Sequence, residues 1–315
     1  MKREVIIYTL AVLLGTCWLT ACSEDSLSNE SVITADKNLS NTPFDKWLVE
    51  NFQNPYNIAI DWRWNENEVI LGNYTVPAEY NSSIILAHIL KHCCLEAYDE
   101  AVGINFTRRN FPKQLVFVGS WQYNNNNSRT LGTAEGGRKI WLLGVNDVKN
   151  NISSIALLNK EYLKTMHHEF QHILNQTTPY SIAYKEITKT TYLADSWSTS
   201  PNNEGYLQRG YISAYAQKND KEDFAEMYSL YITSTEKTWQ DFIDSSVIET
   251  TSAGGVPTYD YTYRDILLKK LDIVRDYMQK TWNVDIDVMR KVLHRRTKEI
   301  IDGKVDLTDL TVNNN

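Results

Sequence analysis

Two histidines four residues apart, His168 and His172, with Glu169 beside the first, constrain this chain more than any other feature. A spacing of four places both imidazoles on one face of an α-helix, one turn above the other. That geometry lets them reach a single ion at about 2.0–2.1 Å, so the residues around them are expected to be helical. Leu163, Met166, Phe170, Ile173 and Leu174 supply the apolar face on which such a helix packs.

The pattern suits metal-assisted hydrolysis. Zinc lowers the pKa of a water and polarises a carbonyl, while a carboxylate that is not a ligand takes the proton and returns it to the leaving group. Glu169 is placed for that task. His167 diverges from His168 by about 100° around a helix and reads as a neighbour rather than a ligand. His88 and His92 repeat the spacing of four without a following glutamate, and read as a partly buried structural pair.

An open catalytic zinc site takes three protein ligands. A third histidine six residues after His172, behind a glycine turn, is excluded because Asn175 and Thr178 hold those positions. The next candidate is the segment Ser213–Glu226, SAYAQKNDKEDFAE. Glu222 and Glu226 share one face of a helix with Asn219 or Asp220 as its N-cap. One carboxylate can bind zinc while the other holds a ligand histidine by its free ring nitrogen. Spacing alone does not say which does which.

The N-terminus reads as an export signal. Lys2 and Arg3 precede a mostly apolar run, Val5–Leu19, shorter than the roughly 20 residues of a membrane-spanning helix. Leu19-Thr20-Ala21-Cys22 resembles a bacterial lipobox, which implies cleavage before Cys22 and acylation of that cysteine. Several acyl chains hold a soluble domain at a membrane surface. Ser23-Glu24-Asp25 resembles the acidic tag of Bacteroidetes lipoproteins exposed outside the outer membrane. Loss of residues 1–21 removes one net positive charge and takes the formal charge from −7 to −8. With no basic stripe, that balance excludes a nucleic-acid partner. Cys93 and Cys94 remain; as sequence neighbours they are poorly placed to pair and read as buried thiols on a helix.

Residues 22–43 read as a flexible tether and 44–315 as the folded part, with a sheet lobe over about 44–176 and a helical lobe over about 177–315. Strands are expected at Asn57–Trp64, Gln114–Val118 and Lys139–Val145, with turns at Asn124–Asn127 and Gly136-Gly137. Helices are expected at Ser82–Val102, where Ile84, Ile85, Ala87, Ile89 and Leu95 share a stripe, and at 159–175, 220–233, 261–282 and 285–301. Gly254-Gly255-Val256-Pro257 reads as a break. The class is α+β.

His168–His172 with Tyr215, Asn219, Glu222 and Glu226 resembles the glutamate-type zincins related to anthrax lethal factor, which carry a Tyr-x-x-x-Asn-x-x-Glu-x-Phe-Ala-Glu segment. The resemblance implies a zincin-like fold with Glu222 as third zinc ligand and Tyr215 stabilising the oxyanion. It makes Glu226 a supporting carboxylate. The whole chain more closely resembles a family of Bacteroidetes zinc metallohydrolase lipoproteins associated with TonB-dependent nutrient import. The lipobox, Pro55-Tyr56-Asn57-Ile58…Trp62-Arg63-Trp64, the motif helix and Glu222-Asp223-Phe224-Ala225-Glu226 carry that resemblance over most of residues 44–300. One zinc per chain and a peptide or glycoprotein substrate are expected, the family's own substrate being an open question. Substrate is then expected along the edge of the Lys139–Val145 strand, with Tyr180, Asp195, Trp197, Tyr206 and Arg209 as candidate contacts in a wall formed by residues 173–214. Two rival readings stand beside this one: a glycan- or peptide-binding lipoprotein with a non-catalytic zinc, and a zinc hydrolase of a non-peptide bond. Structural zinc is usually closed by four ligands, and only three convincing ones are found.

Overall fold

A computed structural model describes residues 42–65, 75–123, 129–130, 132–135, 138–252 and 254–312. The leader, Cys22, nearly all of the tether and the expected turns at Asn124–Asn127 and Gly136-Gly137 lie outside these residues. No helix among them is long and apolar enough to cross a membrane.

Helix α1 (Pro43–Leu48) buries Phe44 and Trp47, and its continuation ends at Asn57 in a left-handed conformation. Strand β1 (Ala59–Asp61) occupies the middle of the expected strand. Helix α2 (Tyr80–Leu90) runs through a π-helical turn, Lys91–Leu95, into α3 (Glu96–Ala101). The apolar stripe expected there is an underestimate: Ser82–Leu90 are all buried. A helix without an extended polar face belongs inside, and this one does. Ser83 Oγ donates to the Glu79 carbonyl at 2.8 Å, so its hydroxyl is not buried unpaired. Cys93 and Cys94 are free and buried, as expected.

Helix α4 (Ile104–Asn110) leads into β2 (Gln114–Phe117). The short strands β3 (Gln122–Tyr123) and β4 (Arg129–Thr130) pair with each other, and β5 (Gly132–Glu135) and β6 (Lys139–Leu142) follow. The main sheet has the order β1-β2-β6-β5. Its first three strands are parallel, with Ala59 opposite Gln114 and Gln114 opposite Lys139. The last three residues of both β2 and β6 are buried, as in strands covered on two faces. Strand β5 runs antiparallel to β6, with Gly132 opposite Leu142. The expected substrate-binding edge is therefore misplaced. Lys139–Leu142 is paired on both sides, and among the described residues β1 and β5 are the outer strands of the sheet. Gly-Thr-Ala-Glu has almost no apolar alternation, so nothing in it announces a strand.

Helix α5 (Lys164–Thr177) continues from a π-helical turn at Asn159–Leu163 and packs on β5 and β6. Its Phe170 fits between Phe111 and Tyr98, with ring centroids 4.9 and 5.2 Å away. After α6 (Ile182–Ile187), a long irregular segment leads to α7 (Asp220–Thr233), which packs along α5. Helix α8 (Glu236–Ser245) precedes a hairpin, β7 (Ile248–Thr251) and β8 (Pro257–Asp260), whose turn is the glycine-rich break. Helix α9 (Thr262–Trp282) stops at Asn283, where φ is 56°. The Asn283 and Val284 N–H groups there close on Gln279 and Met278 carbonyls. The Asp285 side chain caps α10 (Ile286–Ile301), which packs on α7 and α3. The architecture is α+β, a small mixed sheet among many helices.

Candidate metal centre

The site is built by two helices from distant parts of the chain. On α5 the spacing of four brings the two imidazoles together, with Nε2 of His168 3.1 Å from Nε2 of His172. The rings stand nearly perpendicular, at 86°. Helix α7 starts sharply because Asn219 Oδ1 accepts hydrogen bonds from the N–H groups of Lys221 and Glu222. That start leaves Glu222 in the first turn, facing α5. Its Oε2 lies 3.2 Å from His168 Nε2 and 3.0 Å from His172 Nε2.

These three atoms form a triangle with sides near those of a tetrahedral zinc site, where ligands at 2.0–2.1 Å stand about 3.3 Å apart. Among the described residues, His168, His172 and Glu222 are the one group of three such side chains close enough to share an ion. Nδ1 of His168 faces Glu226 Oε1 at 2.8 Å. A ring proton held on that side by the carboxylate would leave Nε2 as a lone pair aimed at the gap. Geometry and donor chemistry thus fit a zinc ion. Burial pushes the Glu222 carboxyl up, but the two imidazoles beside it, when protonated, outweigh burial and hold the group well below the usual carboxylate range. Burial likewise works against the charge on Glu226, and the Lys164 ammonium with His168 brings it down to about 2.

Two further expected residues frame the gap. Tyr215 has its ring 5.9 Å from that of His168 and 4.9 Å from Trp197. Burial first, then the charge of Glu222, pushes its phenol well above the usual range, so it stays a proton donor. The Glu169 carboxylate, next in the chain to His168, adds its negative charge to the surroundings of both His168 and Tyr215. His167 is buried elsewhere, with Nδ1 3.2 Å from the Tyr98 hydroxyl. His88 stacks on Trp47, and His92 meets Glu299 and Glu96, as a structural pair would.

A family model described as "Putative zinc-binding metallo-peptidase" matches residues 37–287. The chain belongs to that family. The crystal structure of "a putative zinc-binding metallo-peptidase" from Bacteroides caccae shares 33% identity at a TM-score of 0.67. The match covers 85% of this chain and 96% of that one. No curated protein matches. Membership joins the two-histidine, one-glutamate geometry to zinc chemistry without naming a substrate.

Of the five expected wall residues, only Trp197 has a ring contact with Tyr215. Tyr180 stacks on Phe224 and donates to Asp220, and Arg209 is tied to Gln217 and to the Asn202 and Glu204 carbonyls. Tyr206 packs against the core and Asp195 is exposed. Sequence reasoning missed Lys164, Ser213 and Lys218. Lys164 Nζ lies 2.6 Å from Glu226 Oε1, and Ser213 Oγ donates to Oε2 at 2.6 Å. Lys218 Nζ donates to the Tyr215 hydroxyl at 3.4 Å. Lys164 had a signal, since 164, 168 and 172 fall on one helical face. Ser213 had none.

Proposed function

We propose that this family member is a zinc-dependent peptidase in which His168, His172 and Glu222 hold one zinc ion. The convergence of their three donor atoms, with the Tyr215 ring beside His168, carries the reading. Zinc in that place supplies Lewis acidity to a scissile carbonyl and to the attacking water. Glu169 takes the proton of the water and delivers it to the departing nitrogen. Tyr215 donates its O–H to the oxygen on which negative charge develops. Lys218 donates to that hydroxyl at 3.4 Å and so occupies one of its lone pairs. Glu226 keeps His168 turned with Nε2 toward the metal.

The outer edge of β5, unpaired among the described residues and packed beside α5, supports an extended peptide lying along it as an added strand. The leader and Cys22 support a lipid anchor in the outer membrane with the folded part at the cell surface, serving a TonB-dependent import system that takes up the products. The substrates are peptides or glycoproteins.

Glu169→Gln tests the central step. The variant should keep its zinc and lose about 10²–10⁴ in hydrolysis of a quenched fluorogenic peptide pool, the range of a lost general base. A rate equal to that of the parent would sink the mechanism. A zinc-loaded parent that cleaves nothing but retains peptides or glycans would favour the binding lipoprotein instead.

A further inference from the structure

Glu226 is a junction of three segments. Its side chain is 1% exposed, and both of its oxygens are engaged. Oε1 faces His168 Nδ1 at 2.8 Å and the Lys164 ammonium at 2.6 Å, while Oε2 accepts from Ser213 Oγ at 2.6 Å. Lys164 and His168 lie one turn apart on α5, and Glu226 lies one turn beyond Glu222 on α7. Ser213 Oγ also accepts from the Ala216 N–H at 3.1 Å, which ties in the turn carrying Tyr215. A carboxylate buried this deeply does not keep its charge or its place without a cation beside it. The cation on this oxygen is Lys164, whose side chain is 22% exposed and reaches inward. Lys218, the other lysine of the site, stands instead by Glu222 Oε1 at 3.7 Å.

We infer that Lys164 is a positioning residue for the metal centre: its ammonium fixes the Glu226 carboxylate, and through it the ring orientation of His168. The inference rests on the zinc-ligand reading of His168, His172 and Glu222. A purely structural Lys164 would knit α5 to α7 and leave the metal indifferent to it.

The two roles separate in zinc affinity, measured on the full-length chain by competition for Zn²⁺ with a chromogenic chelator. Lys164→Met should weaken zinc about 10-fold or more, since partners behind a ligand histidine typically contribute 10–100-fold. Lys164→Arg should stay within about threefold of the parent, and Glu226→Gln should itself weaken zinc. In the Glu226→Gln background, Lys164→Met should add less than about twofold, because both changes act through one carboxylate. Lys164→Gln, which keeps polar donors without the charge, replaces Lys164→Met should that variant not fold. Zinc bound as tightly by Lys164→Met as by the parent, with only a lower unfolding temperature, would overturn the inference. So would an undiminished effect of Lys164→Met in the Glu226→Gln background. A parent that takes up no zinc would instead overturn the ligand reading beneath it.

Discussion

Removing the phenol oxygen of Tyr215 leaves its ring against His168 and Trp197, so Tyr215→Phe isolates a single hydrogen-bond donor. The expected result is unchanged zinc content with a rate lower by about 10²–10³, as for other lost oxyanion donors. Paired metal analysis and turnover of a cleaved peptide check it, and an unchanged rate removes Tyr215 from the reaction. At this scale much of the site was legible, because its parts obey local rules. The spacing of four made His168 and His172 a pair, and Asn219 and Asp220 announced the start of α7, with Asn219 the one that caps it. Spacing could not rank Glu222 against Glu226, since both lie on one helical face. The distinction depends on where α5 crosses, with Glu222 meeting both imidazoles at Nε2 and Glu226 meeting one at Nδ1. Ser213 was invisible for the same reason: its partner is thirteen residues away on another element.

Among elements, α3 and α10 are held by a cluster of charges around Glu96. Arg296 donates to Glu96 Oε2 at 2.9 Å and Lys91 to Oε1 at 2.8 Å, with His92 Nδ1 3.3 Å away. Burial raises the Glu96 carboxyl, but these neighbours outweigh burial and lower it from 4.5 to about 2. A carboxylate with a depressed folded pKa stabilises the fold above its unfolded value and loses that contribution as pH falls through the folded one. The window is therefore roughly pH 4.5 down to 2. Glu96→Gln should cost on the order of 1–2 kcal/mol at pH 6, discounted for a side chain 29% exposed. The cost should shrink toward zero near pH 2; denaturant unfolding at both values checks it, and a pH-independent difference would refute the account. The long helices α9 and α10 lie where their periodicity puts them, because each carries its own apolar face. Strand β5 and the β7–β8 hairpin were missed because Gly-Thr-Ala-Glu, Ile-Glu-Thr-Thr and Pro-Thr-Tyr-Asp form strands only through the partner they pair with.

Across the whole molecule, a buried ion pair joins α7 to α9 and to the irregular segment before α7. Lys270 on α9 and Asp223 on α7 are both 0% exposed, with Nζ 2.6 Å from Oδ2. Lys270 also donates to the Gly210 carbonyl at 2.9 Å and lies 4.2 Å over the Tyr211 ring, while Tyr192 donates to Asp223 Oδ2. Lys270→Met strands a buried carboxylate and should cost about 3–5 kcal/mol of stability. Asp223→Asn in the same chain should recover part of it by removing the uncompensated charge. Urea unfolding checks both, and a loss below about 1 kcal/mol for Lys270→Met would show that the pair is dispensable. If substrate lies along β5 as proposed, the outer edge of that strand has its own consequence for what can be cut. An edge four residues long spans about 13 Å and pairs through backbone N–H and C=O groups. Such pairing demands an unfurled chain. Compact, intact proteins would then pass unharmed, while frayed loops and already denatured fragments would be the material consumed.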